Sequence, residues 1–189
     1  MARISDKNLT LKDGRHVKIR SANRCDARAL SRFKCEMLQT SRHLNTRPEE
    51  AQISTGAERR LIKRIVTSEN ELAIVALHDG DIIASLETLT DRRGRLKHST
   101  LLGVSVAHGF RGLGLGHAML LCCLEWAKGH PYIERVELHV HGDNDKAIKL
   151  YKVLGFVEEG RKKDAIRRGP QDYVDDILMC AYLGRKSVN

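Results

Sequence analysis

Aromatic side chains are scarce: the 189-residue chain has one Trp, four Tyr and three Phe. Stacking platforms of the kind that hold single-stranded nucleic acid are hard to build from so few rings, which weighs against RNA recognition and leaves only a purely electrostatic form of it. No window approaches the ~18 apolar residues of a membrane span, and residues 1–10 are polar and charged, without the apolar stretch of a signal segment. The expectation is a soluble, cytoplasmic protein with no membrane partner. Cys25, Cys35, Cys122, Cys123 and Cys180 are odd in number and show neither a CxxC spacing nor a His-paired zinc pattern, so they read as reduced core thiols. Repeats, low-complexity tracts and linker-like stretches are missing too, which leaves one domain over residues 1–189.

What is present is charge of one dominant sign and a sufficient apolar fraction. Lys and Arg number 33 against 24 Asp and Glu, a net charge of +9, which favours anionic ligands in general without naming one. A hydrophobic content of 41% is enough for one real core.

The most informative segment is Arg111, Gly112, Leu113, Gly114, Leu115 and Gly116, preceded by the apolar run 101–106 and followed by an amphipathic stretch. It reads as strand, glycine loop, helix. Glycines at alternate positions let backbone approach a ligand closely, and the first N–H groups of the helix have no internal partner, so the segment suits a phosphate or pyrophosphate. A P-loop would end in Gly-Lys-Ser/Thr, but Gly116 is followed by His117 and Ala118; a dinucleotide fingerprint would need a third glycine at His117. Both nucleotide readings fail.

Around this loop the pattern predicts a hairpin or bent edge strand over 9–20 about Asp13 and Gly14, helices from Asp26 and over 57–67, and an irregular segment over 42–55. Strands at 71–78 and 82–90 flank Asp79 and Gly80, a hairpin dipeptide. A strand at 100–106, a helix ended by Gly129, a strand at 133–140, a helix at 143–154 and closing strands at 156–161 and 173–182 complete the order. Hairpins mixed with two crossovers imply an α+β fold: a mixed, largely antiparallel sheet flanked by helices on both faces.

The pattern Arg-x-x-Gly-x-Gly at Arg111, Gly114 and Gly116, followed about 30 residues later by Asn144, Ala147, Leu150, Tyr151, Gly155 and Phe156, resembles the GNAT superfamily of acetyl-CoA-dependent N-acetyltransferases. Glu159-Gly160-Arg161, the Asp175-Asp176 pair and Met179 are similar to the branch of ribosomal-protein and small-amine acetyltransferases. The resemblance implies a GNAT-like sheet in which acetyl-CoA lies between two splayed strands, 101–106 and 133–140. It assigns pantetheine contacts to Val104 and Val106, pyrophosphate contacts to the backbone of Arg111, Gly112, Leu113, Gly114, Leu115, Gly116 and His117, and further cofactor contacts to Asn144, Ala147 and Tyr151. Asn144 is equally a preferred helix cap.

Acetyl transfer to an amine needs a neutral nucleophile, a donor for the oxyanion and a proton for the thiolate. A backbone N–H at Val106 suits the second role and Tyr151, by the resemblance, the third; a core tyrosine is the competing reading. Where many family members carry a glutamate, this chain has Thr100, Leu101 and Leu102. Glu87, one strand earlier, is a candidate catalytic carboxylate, acting directly or through a water, with His98 and His108 as further options and transfer without a dedicated base as another. His139 and His141 share a strand face but lack a third ligand, so no metal is expected. The reading is direct attack by a primary amine, of a small molecule or a protein such as a ribosomal one, in a ternary complex. The alternative is a catalytically weak acyl-CoA sensor or a basic RNA- or ribosome-docking module. Family members often pair, so a homodimer is compatible with it.

Overall fold

The structure, a computed structural model, describes residues 3–185. Of the expected domain 1–189, residues 1, 2 and 186–189 lie outside the described ones. The chain opens with β1 (Lys7–Thr10) and β2 (His16–Ser21), then a 3-10 turn, α1 (Ala27–Thr40) and α2 (Thr55–Thr67). β3 (Ala73–His78), β4 (Asp81–Thr90) and β5 (Ser99–Val106) follow, then α3 (Leu115–Gly129), β6 (Arg135–His141), α4 (Asp145–Val153), β7 (Val157–Arg167) and β8 (Tyr173–Tyr182). The opening segment is thus a full hairpin. α2 begins two residues before its predicted start, because the Ser54 side chain accepts from the Ala57 N–H and caps the helix there.

All eight strands form one sheet in the order β1-β2-β3-β4-β5-β6-β8-β7. Every pairing is antiparallel except β5 with β6. The mixed α+β sheet expected from the sequence is what the structure shows. The second crossover skips a strand, since β8 inserts between β6 and β7.

β3 explains why helices cover both faces. Ile74 and Ala76 enter the core cluster that also holds Leu115, Met119 and Tyr151 of α3 and α4, while Ala73 and Val75 enter the cluster with Leu30 of α1 and Ile62 of α2. A strand buried on both sides reads as an unbroken apolar run rather than an alternating one, as this one does. β7 is the opposite case. Its residues are almost all exposed, it carries two register irregularities, and it is held by backbone pairing with β8, so it extends to Arg167, six residues past its predicted end at 161. Cys122, Cys123 and Cys180 are buried as expected, but Cys25 and Cys35 are exposed, the second because it falls on the outer side of α1.

The β3–β4 hairpin, which carries Glu87, is locked by Thr88: its fully buried hydroxyl accepts the Leu72 N–H at 2.7 Å. Thr88→Val keeps the volume but leaves that amide without a partner, and is expected to cost about 1–3 kcal/mol in urea denaturation. A loss below about 0.3 kcal/mol would show that the bond contributes little.

Candidate functional site

β5 and β6 pair only at their beginnings, from Ser99 opposite Arg135 to Leu101 opposite Glu137. Beyond that point β5 stays with β4 up to Val106 and β6 stays with β8 up to His141, so the two strands part and leave a gap in the middle of the sheet. The register fixes what faces it. The Ala107 N–H donates to the Ile83 carbonyl at 2.9 Å, so the alternation of an antiparallel ladder turns Gly103 and Ser105 toward β4 and the amides and carbonyls of Leu102, Val104 and Val106 toward the gap. The Val106 carbonyl there accepts from Arg111 Nε at 2.9 Å.

The gap opens onto the glycine loop. Gly112 and Gly114 have φ of +75° and +93°, a left-handed backbone that side chains resist, and Gly114 sits at the N-cap of α3 without any capping side chain. The first bond of the helix runs from the Ala118 N–H to the Gly114 carbonyl, so the N–H groups of Leu115, Gly116 and His117 have no partner inside the helix. Together with the field of the helix they form an anion cradle. Fully buried Leu115 anchors the loop, and Gly116 lies where a Cβ would meet Leu150 at 3.5 Å and Val106 at 3.8 Å, the point where α3, α4 and β5 converge. The opening hairpin braces the loop from outside: Arg15 donates to the Gly109 carbonyl at 2.6 Å and lies 3.8 Å over the Phe110 ring. Sequence reasoning missed this support, which only the fold brings together.

Asn144 is the N-cap of α4, its side chain accepting from the Ala147 N–H at 3.4 Å. Tyr151, one helical repeat on, is buried against the ring of Phe156, and its hydroxyl makes no hydrogen bond among the described residues. Burial pushes its phenol up to about 12, so it stays protonated at neutral pH and can serve as a donor but not as a base.

Glu87 lies on the other face of the sheet, opposite Gly103. Its carboxylate is 2.7 Å from Lys34 Nζ, and Lys34 also binds Glu58 at 3.0 and 3.1 Å. Burial pushes the Lys34 ammonium down, but the charges of Glu87 and Glu58 outweigh it and hold the pKa above its ordinary value. Glu87 is therefore engaged rather than free. His98 sits just before β5, at the closed end of the gap, and its carbonyl accepts the amides of Glu134 and Arg135. His108 is exposed in the turn after β5. The two strand histidines are each committed: His139 Nδ1 lies 2.9 and 3.0 Å from the carboxylate of Asp176, and His141 Nε2 lies 2.7 Å from Asn45 Oδ1. Among the described residues no group of three His, Cys, Asp or Glu is placed to hold a metal. Burial pushes the Cys122 thiol up and that of Cys123 to about 12, which denies either a thiolate nucleophile.

At the mouth of the gap Asp143 collects Arg42 at 2.7 Å, Arg168 at 2.8 Å and His43 at 3.6 Å. These contacts and the Asn45–His141 bond tie the segment between α1 and α2 to the end of β6. The segment after α1 and the turn after β7 thus meet around one carboxylate.

The description "Acetyltransferase (GNAT) family" fits a family model over residues 38–156. L-amino acid N-acetyltransferase AaaT of Escherichia coli is 36% identical over 107 residues, which is 56% of this chain and 65%, less than two thirds, of that protein. Among solved structures, a GNAT-family acetyltransferase from Streptococcus pneumoniae superposes with a TM-score of 0.84 at 24% identity, covering 89% of this chain and 99% of that one. A Salmonella typhimurium protein solved with its cofactor acetyl-CoA gives 0.80 at 14% identity, covering 92% and 97%. No helix among the described residues is long and apolar enough to cross a membrane.

The imidazoles of His43 and His141 are both pushed below their ordinary pKa, chiefly by burial, with Arg168 adding to the effect on each. The unfolded chain therefore binds more protons than the folded one once pH falls below the unfolded histidine value of about 6.5, and stability present above it is lost. Thermal midpoints measured between pH 7.5 and 5 should fall, and the fall should shrink in the His43→Gln, His141→Gln double variant. An equal slope in both proteins would contradict the assignment. Asp143, itself pushed down with Arg168 as the leading opponent of burial, loses its contribution only further into acid.

Proposed function

The chain belongs to the GNAT acetyltransferase family, and on that premise we propose that it moves the acetyl group of acetyl-CoA to a primary amine by direct attack within a ternary complex. The observation that carries this reading is the parting of β5 from β6, with unpaired amides facing a gap that leads to an uncapped helix N-terminus. A pantetheine arm is an extended chain of amides, and the free edge at Val104 and Val106 suits it as a neighbouring strand would. The amides from Arg111 to His117 suit the pyrophosphate.

The chemistry follows from what lines the gap. The Val106 N–H, with that of Val104 beside it, donates to the thioester oxygen as it gains charge. The amine nitrogen forms a bond to the carbonyl carbon, the carbon–sulfur bond breaks, and Tyr151 hands its proton to the departing thiolate. A phenol at about 12 is a weak acid, but the burial that raises it raises the thiol beside it too. Asn144 and Ala147 shape the start of α4 beside the arm. For the acceptor, the name of the E. coli relative favours the amino group of a free amino acid over that of a ribosomal protein. Arg42 at the mouth, largely exposed beside Asp143, has guanidinium donors to spare for such a molecule's carboxylate.

Release of free thiol from acetyl-CoA on addition of a panel of L-amino acids and polyamines tests the activity; tight acetyl-CoA binding with no turnover on any of them would contradict it. Tyr151→Phe is expected to lower kcat about 100-fold while leaving the acetyl-CoA Kd from calorimetry within about twofold. An unchanged kcat would return Tyr151 to a packing role.

A further inference from the structure

We propose that His139, oriented by Asp176, is the base that takes the proton from the incoming ammonium, a role the ion-paired Glu87 does not fill; this rests on the acetyl-transfer reading above. Glu87 is opposite Gly103 in the β4–β5 ladder. The β5–β6 ladder ends with Leu101 opposite Glu137, so two residues on Gly103 and His139 look at each other across the widening gap. Glu87, Gly103 and His139 therefore form one row on the same sheet face. Leu102, Leu138 and Val140 enter the core under α3 and α4 with Tyr151, which puts this row on the opposite face from Tyr151. Nothing lies within 4 Å of the place a Cβ would take on Gly103, so the row has an open floor. An amine arriving there has the thioester before it and the proton donor for the thiolate beyond it.

The two flanking groups differ in one respect that decides between them. Glu87 is neutralised at 2.7 Å by Lys34, and taking up a proton would mean breaking that pair. His139 is bound by a carboxylate, which can only accept, so in the neutral ring Nδ1 carries the hydrogen and the Nε2 lone pair is free to take a proton. The His139 side chain is 38% exposed and that of Asp176 only 15%, so the orienting partner is sheltered and the working nitrogen is reachable. Asp176 holds the ring in this tautomer and stabilises the imidazolium that forms. In the step, Nε2 takes one proton from R–NH3+ and later releases it to solvent. The freed amine attacks, and the second proton it sheds balances the one Tyr151 supplies to the thiolate. The net reaction turns ammonium and thioester into amide, thiol and one proton.

The charged groups facing His139 are Asp176 on β8, Glu137 and His141 on its own strand, Glu87 across the gap, and Lys162 of β7, whose Nζ is 4.0 Å from Asp176. The test is the pH profile of kcat/KM from pH 5.5 to 9.5, by thiol release with an L-amino acid the wild type acetylates, for His139→Gln, Asp176→Asn and Glu87→Gln. His139→Gln should lose about 100-fold or more near pH 7, recover as pH approaches the acceptor's own pKa, and keep the wild-type Kd for acetyl-CoA. Asp176→Asn should lose less and shift the acid limb, and Glu87→Gln should keep that limb. His139→Gln within twofold of wild type with an unchanged limb, or a limb abolished by Glu87→Gln, would overturn the proposal while the transferase reading stands. A wild type that binds acetyl-CoA but acetylates none of the amines would overturn both. Thermal midpoints of the three variants check the fold, and a pH-independent loss in His139→Gln would count against a base.

Discussion

The separation of β5 from β6 is the constraint on which the rest of this structure depends. Each strand is paired on its outer side, β5 with β4 from Thr100 to Val106 and β6 with β8 throughout, and the two half-sheets are joined by three residue pairs only. The join is reinforced where it exists. The carbonyl of His98 accepts the amides of Glu134 and Arg135, and Ser99 donates to Glu137 at 2.6 Å. Past it, polar backbone stands open in the centre of a sheet, where an unpaired edge is costly unless something else bonds to it. The gap is thus a strand-shaped opening set by how its neighbours pair.

Its two sides are chemically unlike, and this gives the site a direction. Beneath α3 and α4 the surroundings are apolar, and a buried phenol keeps its proton. On the opposite face lie Glu87, His139 and Asp176, each with a charged partner. One face is suited to a leaving thiolate that must gain a proton, the other to an ammonium that must lose one. The mouth is bounded by the glycine loop, braced by Arg15, and by the segment after α1 that Asp143 ties down through Arg42 and His43.

Much of this was legible in the residues wherever a local physical demand decides the outcome. Gly112 and Gly114 mark a left-handed loop because other residues resist that backbone, and Asp79 with Gly80 marks a hairpin for the same reason. β7 runs six residues past its pattern because its alternation is missing and the hairpin pairing with β8 keeps it extended. The engagement of Glu87 by Lys34 was hidden, since the two groups meet only when α1 packs on β4. His139 and Asp176 stand 37 residues apart and come together solely through the β6–β8 register, so no spacing in the chain announces them. His139 and His141 share a strand face, yet the fold gives each a different partner.

Everything proposed for the site depends on the gap between β5 and β6 taking an acyl-CoA as an added strand. Amide hydrogen exchange, read by mass spectrometry with and without acetyl-CoA, addresses that most directly. The amides of Val104, Val106 and the loop from Gly112 to His117 are expected to exchange rapidly in the free protein and slow by at least tenfold on binding, with β3 unchanged. Binding of acetyl-CoA that leaves those amides unprotected and slows exchange elsewhere would contradict it.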